Sequence, residues 1–305
     1  GATSYRVVNA ESDFLSGLIV DRYEDVLVVQ ISSLGMDRRK ALIVEVLQEL
    51  MSPRAILERS DTASRKFEGL ADSQGVLAGE AVTRVDVRLN GLRFETDLAE
   101  GHKTGMYLDK QINYAAVGEL ARNATEVLDC FSFLGGFALH AARAGSGNVH
   151  ALDQSADAVA AATRNAEANG LTDRVRFETA NVFDWLKART AVGPNEKVIP
   201  RYDLIILDPP SFTRTRAAVP DALRGYKEIH LRALKLLKPG GILATFCCSH
   251  HVDRVLFEEV VLAAAIDTRH TLRRVALFGQ SPDHPVLPSI PETEYLKGFA
   301  YELVK

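Results

Sequence analysis

The sequence predicts an α/β protein in which a mainly parallel sheet, covered by helices on both faces, follows a smaller α/β domain. From residue 127 onward, apolar runs of strand length alternate regularly with segments of helical periodicity, the pattern of successive βαβ units. The first of these runs ends at Asp129-Cys130 and passes through the paired glycines Gly135 and Gly136 into a helix-forming stretch, which reads as strand, tight turn and helix start. Ahead of that region, residues 85–89 and 92–96 flank Asn90-Gly91, the signal of a hairpin with a type I′ turn.

A chain of 305 residues, 47% hydrophobic and 25% charged, can bury two cores and is neither disordered nor fibrous. The formal net charge of -4 and the pI of about 6.1 exclude a globally basic nucleic-acid binder, so any such contact has to come from a local patch. Cys130, Cys247 and Cys248 lack C-x-x-C spacing; they support neither a disulfide framework nor a zinc site and point to a reducing compartment. No apolar run approaches the roughly 20 residues of a membrane span, and residues 1–9 carry no signal-peptide pattern. The expected location is cytoplasmic.

In order, residues 1–95 read as the small domain and 96–305 as the larger one. Residues 16–25 and 26–31 form a hairpin. Leu42, Val44, Val46, Leu47 and Leu50 recur near helical spacing between Asp37 and Ser52-Pro53, and residues 55–58 are a further strand. Residues 100–109, with glycines at 101 and 105, are a loop that either folds over a neighbouring site or is a solvated linker, and a helix follows through Ala115, Val117 and Leu120. After the strand at 127, strands at 148–152, 174–179, 202–207 and 241–246 alternate with helices at 156–169, 182–188, 223–237 and 252–265. Late strands at 273–278 and 296–304 close the sheet antiparallel, and residues 194–200 are a looser insertion.

In an open sheet of this kind the site lies at the carboxyl ends of the strands, around the switch point. Strand one ends in Asp129 and the glycine loop, where the backbone can approach a ligand closely and the helix aims free N–H groups at it. Strand two ends in Asp153, placed to hydrogen-bond both hydroxyls of a ribose. The loop reads D-x-F-x-x-x-G-G and not G-x-G-x-x-G, so the usual pyrophosphate cradle is missing; S-adenosylmethionine fits better than NAD, and a purely structural turn is the bland alternative. Strand three ends in Ala180-Asn181-Val182, strand four in Asp208-Pro209-Pro210-Ser211-Phe212, and strand five in Cys247-Cys248-Ser249-His250-His251.

Two prolines cannot continue a ladder, so Pro209-Pro210 make a rigid corner that either holds a planar base edge against Asp208 or only terminates the strand. Cys248 would face this corner. A lone cysteine is more often a packed small hydrophobe, but a thiolate adding at carbon 6 of a pyrimidine makes carbon 5 nucleophilic enough to take a methyl group from a sulfonium. Cys247 and Cys248 point to opposite faces of a strand, so only one can serve. His250 and His251 either favour a thiolate or pack and cap, and Ser211 has no evident base with which to form a triad. Between Thr213 and Lys238 seven cations, Arg214 among them, stand against two acids. That run is a phosphate-contacting rim or a solvated helix face; Arg38-Arg39-Lys40 and Arg65-Lys66 add to it.

With these residues in place the chain resembles class I S-adenosylmethionine-dependent RNA methyltransferases, most closely the bacterial ribosomal RNA large subunit methyltransferase I family of 5-methylcytosine enzymes. The likeness is carried by residues 17–23, Glu58-Arg59-Ser60-Asp61, Lys103-Thr104-Gly105, the Asp129 loop, residues 208–212, Arg224-Gly225-Tyr226-Lys227, residues 248–251, Asp283-His284-Pro285 and Tyr295-Leu296-Lys297-Gly298. It implies a Rossmann-like class I methyltransferase domain with a mainly parallel seven-stranded sheet. The implied reaction is methyl transfer to carbon 5 of a cytosine in RNA, 23S ribosomal RNA above all, through a covalent Cys248 adduct, the base having left its stack.

By the same resemblance Asp129, Phe131 and Gly135 hold the methionine part of the cofactor, Asp153 the ribose, and Asn181 with Val182 the adenine. Tyr107 and Asp109 close over it, and Asp208 contacts cofactor and target cytosine. RNA is the implied partner, no metal is implied, and a homodimer is compatible with the family. Asn181 stands where many relatives carry an acid, Lys110-Gln111 replaces a usual Gln-Arg, and the small RNA-binding PUA domain with which relatives begin is not in this sequence. Two other readings remain: methylation of a nucleobase amine at the Asp208 corner, and a non-catalytic RNA-binding or ribosome-assembly factor. An amine acceptor needs no cysteine, and a non-catalytic factor needs neither Cys248 nor Asp208.

Overall fold

The computed structural model describes residues 2–98, 105–193, 196–213 and 215–305. The chain divides into two compact units, Gly1–Gln111 with Ser281–Thr293, and Ile112–Gln280 with Glu294–Lys305. The Lys103-Thr104 pair, Arg214 and part of the 194–200 insertion lie outside the described residues.

The first unit is built on a five-stranded sheet. Its elements are β1 (Ser4–Asn9), β2 (Leu18–Tyr23), β3 (Val26–Ile31), α1 (Leu34–Asp37), α2 (Lys40–Met51), β4 (Ala55–Ser60), α3 (Ala63–Phe67) and β5 (Ser73–Gly79), the strands lying in chain order across the sheet. β2 and β3 form the expected hairpin, with Val20 opposite Val29, and β3 pairs parallel with β4, so the chain between them crosses over through α1 and α2. Leu18, Val20, Leu27, Val29, Ile31, Leu47 and Ile56 make the core. A separate hairpin, β6 (Arg84–Leu89) and β7 (Leu92–Asp97), turns at Asn90 and Gly91 with φ of 50° and 82°. Two consecutive left-handed residues are what a type I′ turn requires.

Some cations expected at a basic surface turn inward here. Lys40 Nζ lies 2.9 Å from a Glu58 carboxylate oxygen and 3.3 Å from Asp37. Arg65 is buried and donates to the carbonyls of Ile31 and Ala71 and to Asp37. Both bind carboxylates and carbonyls of their own unit, so neither adds to a phosphate-contacting rim. Arg38, Arg39 and Lys66 remain exposed.

The second unit carries α4 (Gln111–Leu120), β8 (Glu126–Cys130), α5 (Gly136–Ala144), β9 (Asn148–Asp153), α6 (Ala156–Ala168), β10 (Val175–Thr179), α7 (Val182–Thr190), β11 (Tyr202–Leu207), α8 (Val219–Leu236), β12 (Leu237–Cys247), α9 (Arg254–Thr268), β13 (Leu272–Phe278) and β14 (Lys297–Leu303). Its seven strands run in the order β10-β9-β8-β11-β12-β14-β13. The first five are mutually parallel, and β14 inserts antiparallel between β12 and β13. This is the mainly parallel seven-stranded sheet that the sequence predicts. β8 and β11 are buried at nearly every position because helices cover both faces, which is why they read as continuous apolar runs.

Side-chain caps fix three helix starts: Ser155, Asn181 and Asp253 accept from the backbone N–H groups of Ala158, Asp184 and Leu256. α8 starts with Pro220 in its first turn. Within the core beneath β12, His230 is fully buried. Its Nδ1 lies 2.6 Å from the Tyr226 carbonyl and its Nε2 2.7 Å from Thr245 Oγ1. A carbonyl only accepts, so Nδ1 carries the proton and Nε2 accepts from the hydroxyl.

Burial lowers the pKa of His230 to about 4, against 6.5 for the free side chain. The unfolded chain therefore takes up the proton first as pH falls, and the stability present above pH 6.5 is lost towards pH 4. Denaturant titrations at pH 7 and pH 5 are expected to differ by about 2 kcal/mol from this group alone. His140, lowered to about 4 by burial, adds in the same direction. Substituting His230→Gln should flatten the slope between pH 6.5 and 5; an unchanged slope would show that His230 does not titrate between the two states.

Candidate active site

The parallel registers bring the ends of β8, β9, β11 and β12 to one edge of the sheet. Asp129 pairs with Ala151 on one side and Ile206 on the other, so Asp153 and Asp208 lie just beyond, on the flanking strands. The break in strand order between β8 and β11 falls here: β9 leaves to one side of β8 and β11 joins on the other. That is the switch point at which open α/β sheets take up ligands.

The loop after β8 is shaped by its own hydrogen bonds. Asp129 is fully buried and its Oδ2 accepts from the Ala138 backbone N–H at 3.0 Å, a negative group at the start of α5, where the helix dipole favours one. Asp153 Oδ2 accepts from Phe133 N–H at 2.8 Å and Oδ1 from Ser155 N–H at 2.9 Å. The loop is thus tied to the strand end on each side. Phe131, Phe133 and Gly135 all have positive φ, at 67°, 49° and 85°; for the two phenylalanines this is a sparsely populated conformation, of the kind held at ligand sites.

Gly135 and Gly136 answer to packing as well as conformation. A Cβ on Gly135 would stand 2.9 Å from Phe177 Cζ, and one on Gly136 would stand 2.6 Å from Tyr114 Cζ. Ser132 Oγ, buried in the same loop, has no hydrogen-bond partner among the described residues. The loop thus combines two positions that packing closes to a Cβ, a buried hydroxyl without a partner among the described residues, and an acid at the neighbouring strand end.

Asn181 and Val182 start α7. Val182 is buried, while Asn181 is exposed and its Oδ1 caps the helix on Asp184 N–H at 3.2 Å. Tyr107 and Asp109 belong to the first unit, where Asp109 is buried, its carbonyl accepting from Ser281 N–H at 2.7 Å. Lys110 Nζ lies 4.9 Å from the centre of the Tyr107 ring, within cation–π range. Gln111 Nε2 donates to the Ser4 carbonyl at 2.8 Å. The two residues that depart from the resembled pattern are thus engaged within their own unit.

At the other side of the switch point, Asp208 is half-buried and Pro209 buried, with Phe212 packed on Tyr226 at 4.6 Å between ring centres and on Phe131 at 6.5 Å. The three cysteines differ sharply. Cys130 is fully buried, and burial next to Asp129 raises its thiol well above the ordinary range. Cys247 is fully buried, its Sγ 3.4 Å from the Tyr226 hydroxyl. Cys248 is partly exposed, its Sγ 4.0 Å from the Pro209 carbonyl. Cys247, the last residue of β12, and Cys248, just past it, do face opposite ways, as the sequence predicts, and Cys248 faces the Asp208-Pro209 corner.

Below Cys248 a polar network was not read from the sequence in any functional role. Ser249 is fully buried, and its Oγ lies 2.9 Å from both the Tyr226 and Ser211 hydroxyl oxygens. Lys297, nearly fully buried, donates to the Ser249 carbonyl at 2.7 Å. The signal available in the sequence was a lysine opening the run Gly298-Phe299-Ala300-Tyr301, a stretch otherwise without charge. The basic run on α8 and at the start of β12 is largely paired: Arg224 with Asp221, Lys227 with Asp267, Arg232 with Glu228 and Lys238 with Asp203. Acids three or four positions away, or on adjacent elements, neutralise what a charge count treats as a rim.

The family model for S-adenosylmethionine-dependent methyltransferases matches residues 44–290. Ribosomal RNA large subunit methyltransferase I of Photobacterium profundum is 40% identical over 98% of this chain and 74% of its own length. The protein of the same name from Shewanella denitrificans is 41% identical over the same shares of the two chains. Among solved structures, an S-adenosylmethionine-dependent methyltransferase from Streptococcus mutans shares the fold at TM-score 0.83 and 21% identity, over 99% of this chain and 75% of that one. The chain belongs to the S-adenosylmethionine-dependent methyltransferases, within the ribosomal RNA large subunit methyltransferase I family.

Proposed function

We propose that this enzyme methylates carbon 5 of a cytosine in large-subunit ribosomal RNA, with Cys248 as nucleophile. The observation that carries the reading is the contrast among the three cysteines: Cys248 alone of them is partly exposed, and it faces the Asp208-Pro209 corner. The relatives' name supports ribosomal RNA as substrate class. The proposed location is the cytoplasm, where thiols stay reduced; no helix among the described residues is long and apolar enough to cross a membrane.

In the proposed reaction the Cys248 thiolate adds to carbon 6 of the cytosine, forming a C–S bond and moving the ring's double-bond electrons so that carbon 5 becomes nucleophilic. Asp208, at the corner, contacts the amidine edge of the base and stabilises the proton or charge that develops there. S-adenosylmethionine, when bound, supplies an electrophilic methyl group. After carbon 5 is methylated it loses its proton to a base, and the electrons of that C–H bond expel the thiolate and restore the double bond. Asp129, Phe131 and Gly135 are assigned to the methionine end of the cofactor, Asp153 to the ribose, and Asn181 and Val182 to the adenine; Tyr107 and Asp109 are further cofactor-binding candidates. The first unit is assigned to RNA contact, supported by exposed Arg38, Arg39 and Lys66 together with the exposed rings of Phe14 and Phe67.

Transfer of labelled methyl from S-adenosylmethionine to unmodified ribosomal RNA, followed by nucleoside analysis, tests the reaction. Labelled 5-methylcytosine is expected with the wild type, and Cys248→Ser should abolish it. Persistent transfer in the mutant, or a product methylated on nitrogen, would assign Cys248 a packing role and favour the amine reading. For the cofactor loop, Gly135→Ala is expected to cost about 1–3 kcal/mol of stability from the left-handed backbone and to weaken S-adenosylhomocysteine binding roughly tenfold. Calorimetric titration checks this; unchanged affinity would mean that the Gly135 turn does not shape the pocket.

A further inference from the structure

Lys297 begins β14 opposite Cys247 of β12 and is 2% exposed. Its Nζ donates to the Ser249 carbonyl at 2.7 Å and to the Tyr295 carbonyl at 2.9 Å, and it forms no ion pair with a carboxylate among the described residues. A buried ammonium is costly unless it is paired or put to use. Two neutral carbonyls satisfy two of its three donors and leave its charge uncompensated.

The residue it grips is the one after Cys248. Ser249 is held from its side chain by Tyr226 and Ser211 and from its backbone by Lys297, so the turn carrying the thiol is fixed at three points. The charged and titratable groups around it come from several elements: Cys247 on β12, Cys248 after it, Arg254 on α9 and Glu294 ahead of β14 act on Lys297, Tyr226 on α8 bonds Ser249, and His250 packs against Tyr295. Arg254 and Glu294 pair with each other at 2.6 Å, which removes much of their influence. Burial lowers the pKa of Lys297, while charge on Cys247 and Cys248 would raise it; the interaction between the ammonium and a Cys248 thiolate is mutual, so each favours the charged form of the other.

We propose that Lys297 is a positioning residue for Cys248: it clamps the turn after the thiol through the Ser249 carbonyl and supplies the buried positive charge that keeps the sulfur as thiolate. The proposal rests on the reading of Cys248 as nucleophile, but its test reads the thiol itself.

The experiment is the pH dependence of iodoacetamide alkylation in the full chain, followed by intact mass, with Cys248→Ser giving the background from other cysteines. In the wild type the Cys248 profile is expected to have its midpoint below that of a free thiol, about 8.5; a midpoint at or above that value overturns the proposal with no variant needed. Lys297→Gln keeps a hydrogen-bond donor but no charge and should slow alkylation at pH 7 about tenfold, the rate recovering at high pH where the thiol ionises anyway. Lys297→Arg, which keeps the charge, should lie closer to wild type. A Lys297→Gln profile that coincides with wild type also overturns the proposal. Methyl transfer that persists in Cys248→Ser would sink the nucleophile reading, whereas an unshifted alkylation profile beside Cys248-dependent transfer sinks only the role of Lys297.

Discussion

The parallel pairing of β8 with β9 on one side and β11 on the other is the constraint on which the candidate site depends. Hydrogen-bond register leaves little freedom in where parallel strands end relative to one another. Once Asp129 lies beside Ala151 and Ile206, the loops after β8, β9 and β11 must open at the same edge. The acids there do local structural work too: Asp129 meets the first turn of α5, and Asp153 ties the glycine loop through Phe133 and its own turn through Ser155. The loop conformation, strained at Phe131 and Phe133, persists because the strands and these carboxylates over-determine it.

The end of β12 follows a different logic. Cys247 turns into the core against Tyr226 and Cys248 turns out to the Pro209 corner, so one strand end supplies a packed thiol and an accessible one. Ser249 then leaves the strand with both its hydroxyl and its carbonyl engaged. Burial raises the Tyr226 phenol well above its ordinary range, so it stays a neutral hydrogen-bonding group that orients Ser249. A reactive side chain carried on a rigid strand end needs this kind of support if its geometry is to hold.

Much of this was legible in the sequence because the responsible residues act locally. Apolar runs, glycine pairs and proline corners mark strands and turns by their own conformational limits, and the strands from β8 to β12 lie close to where those signals put them. β1 and β5 were missed for a physical reason: they are edge strands of the first unit's sheet, β5 mostly exposed and containing two glycines, recruited by pairing with β2 and β4 and not by a pattern of their own. The helix expected from Asp37 is divided at Arg38 and Arg39 between α1 and α2. Charge counting misled where charges are paired across elements, as for Lys40 with Glu58 and Lys227 with Asp267. Lys297 and Ser249 belonged to quoted motifs, yet their roles depend on β14 inserting beside β12, a long-range pairing that no local window reveals.

The central claim, a covalent bond between Cys248 and carbon 6 of the target base, is most directly tested with ribosomal RNA containing 5-fluorocytosine. Fluorine at carbon 5 cannot depart as the proton does, so the thiolate is not expelled and the adduct should persist. The account predicts a denaturation-resistant protein–RNA complex that forms with wild type and S-adenosylmethionine and is absent with Cys248→Ser. A complex that survives the substitution, or its absence from a wild-type enzyme that methylates ordinary ribosomal RNA, would contradict it.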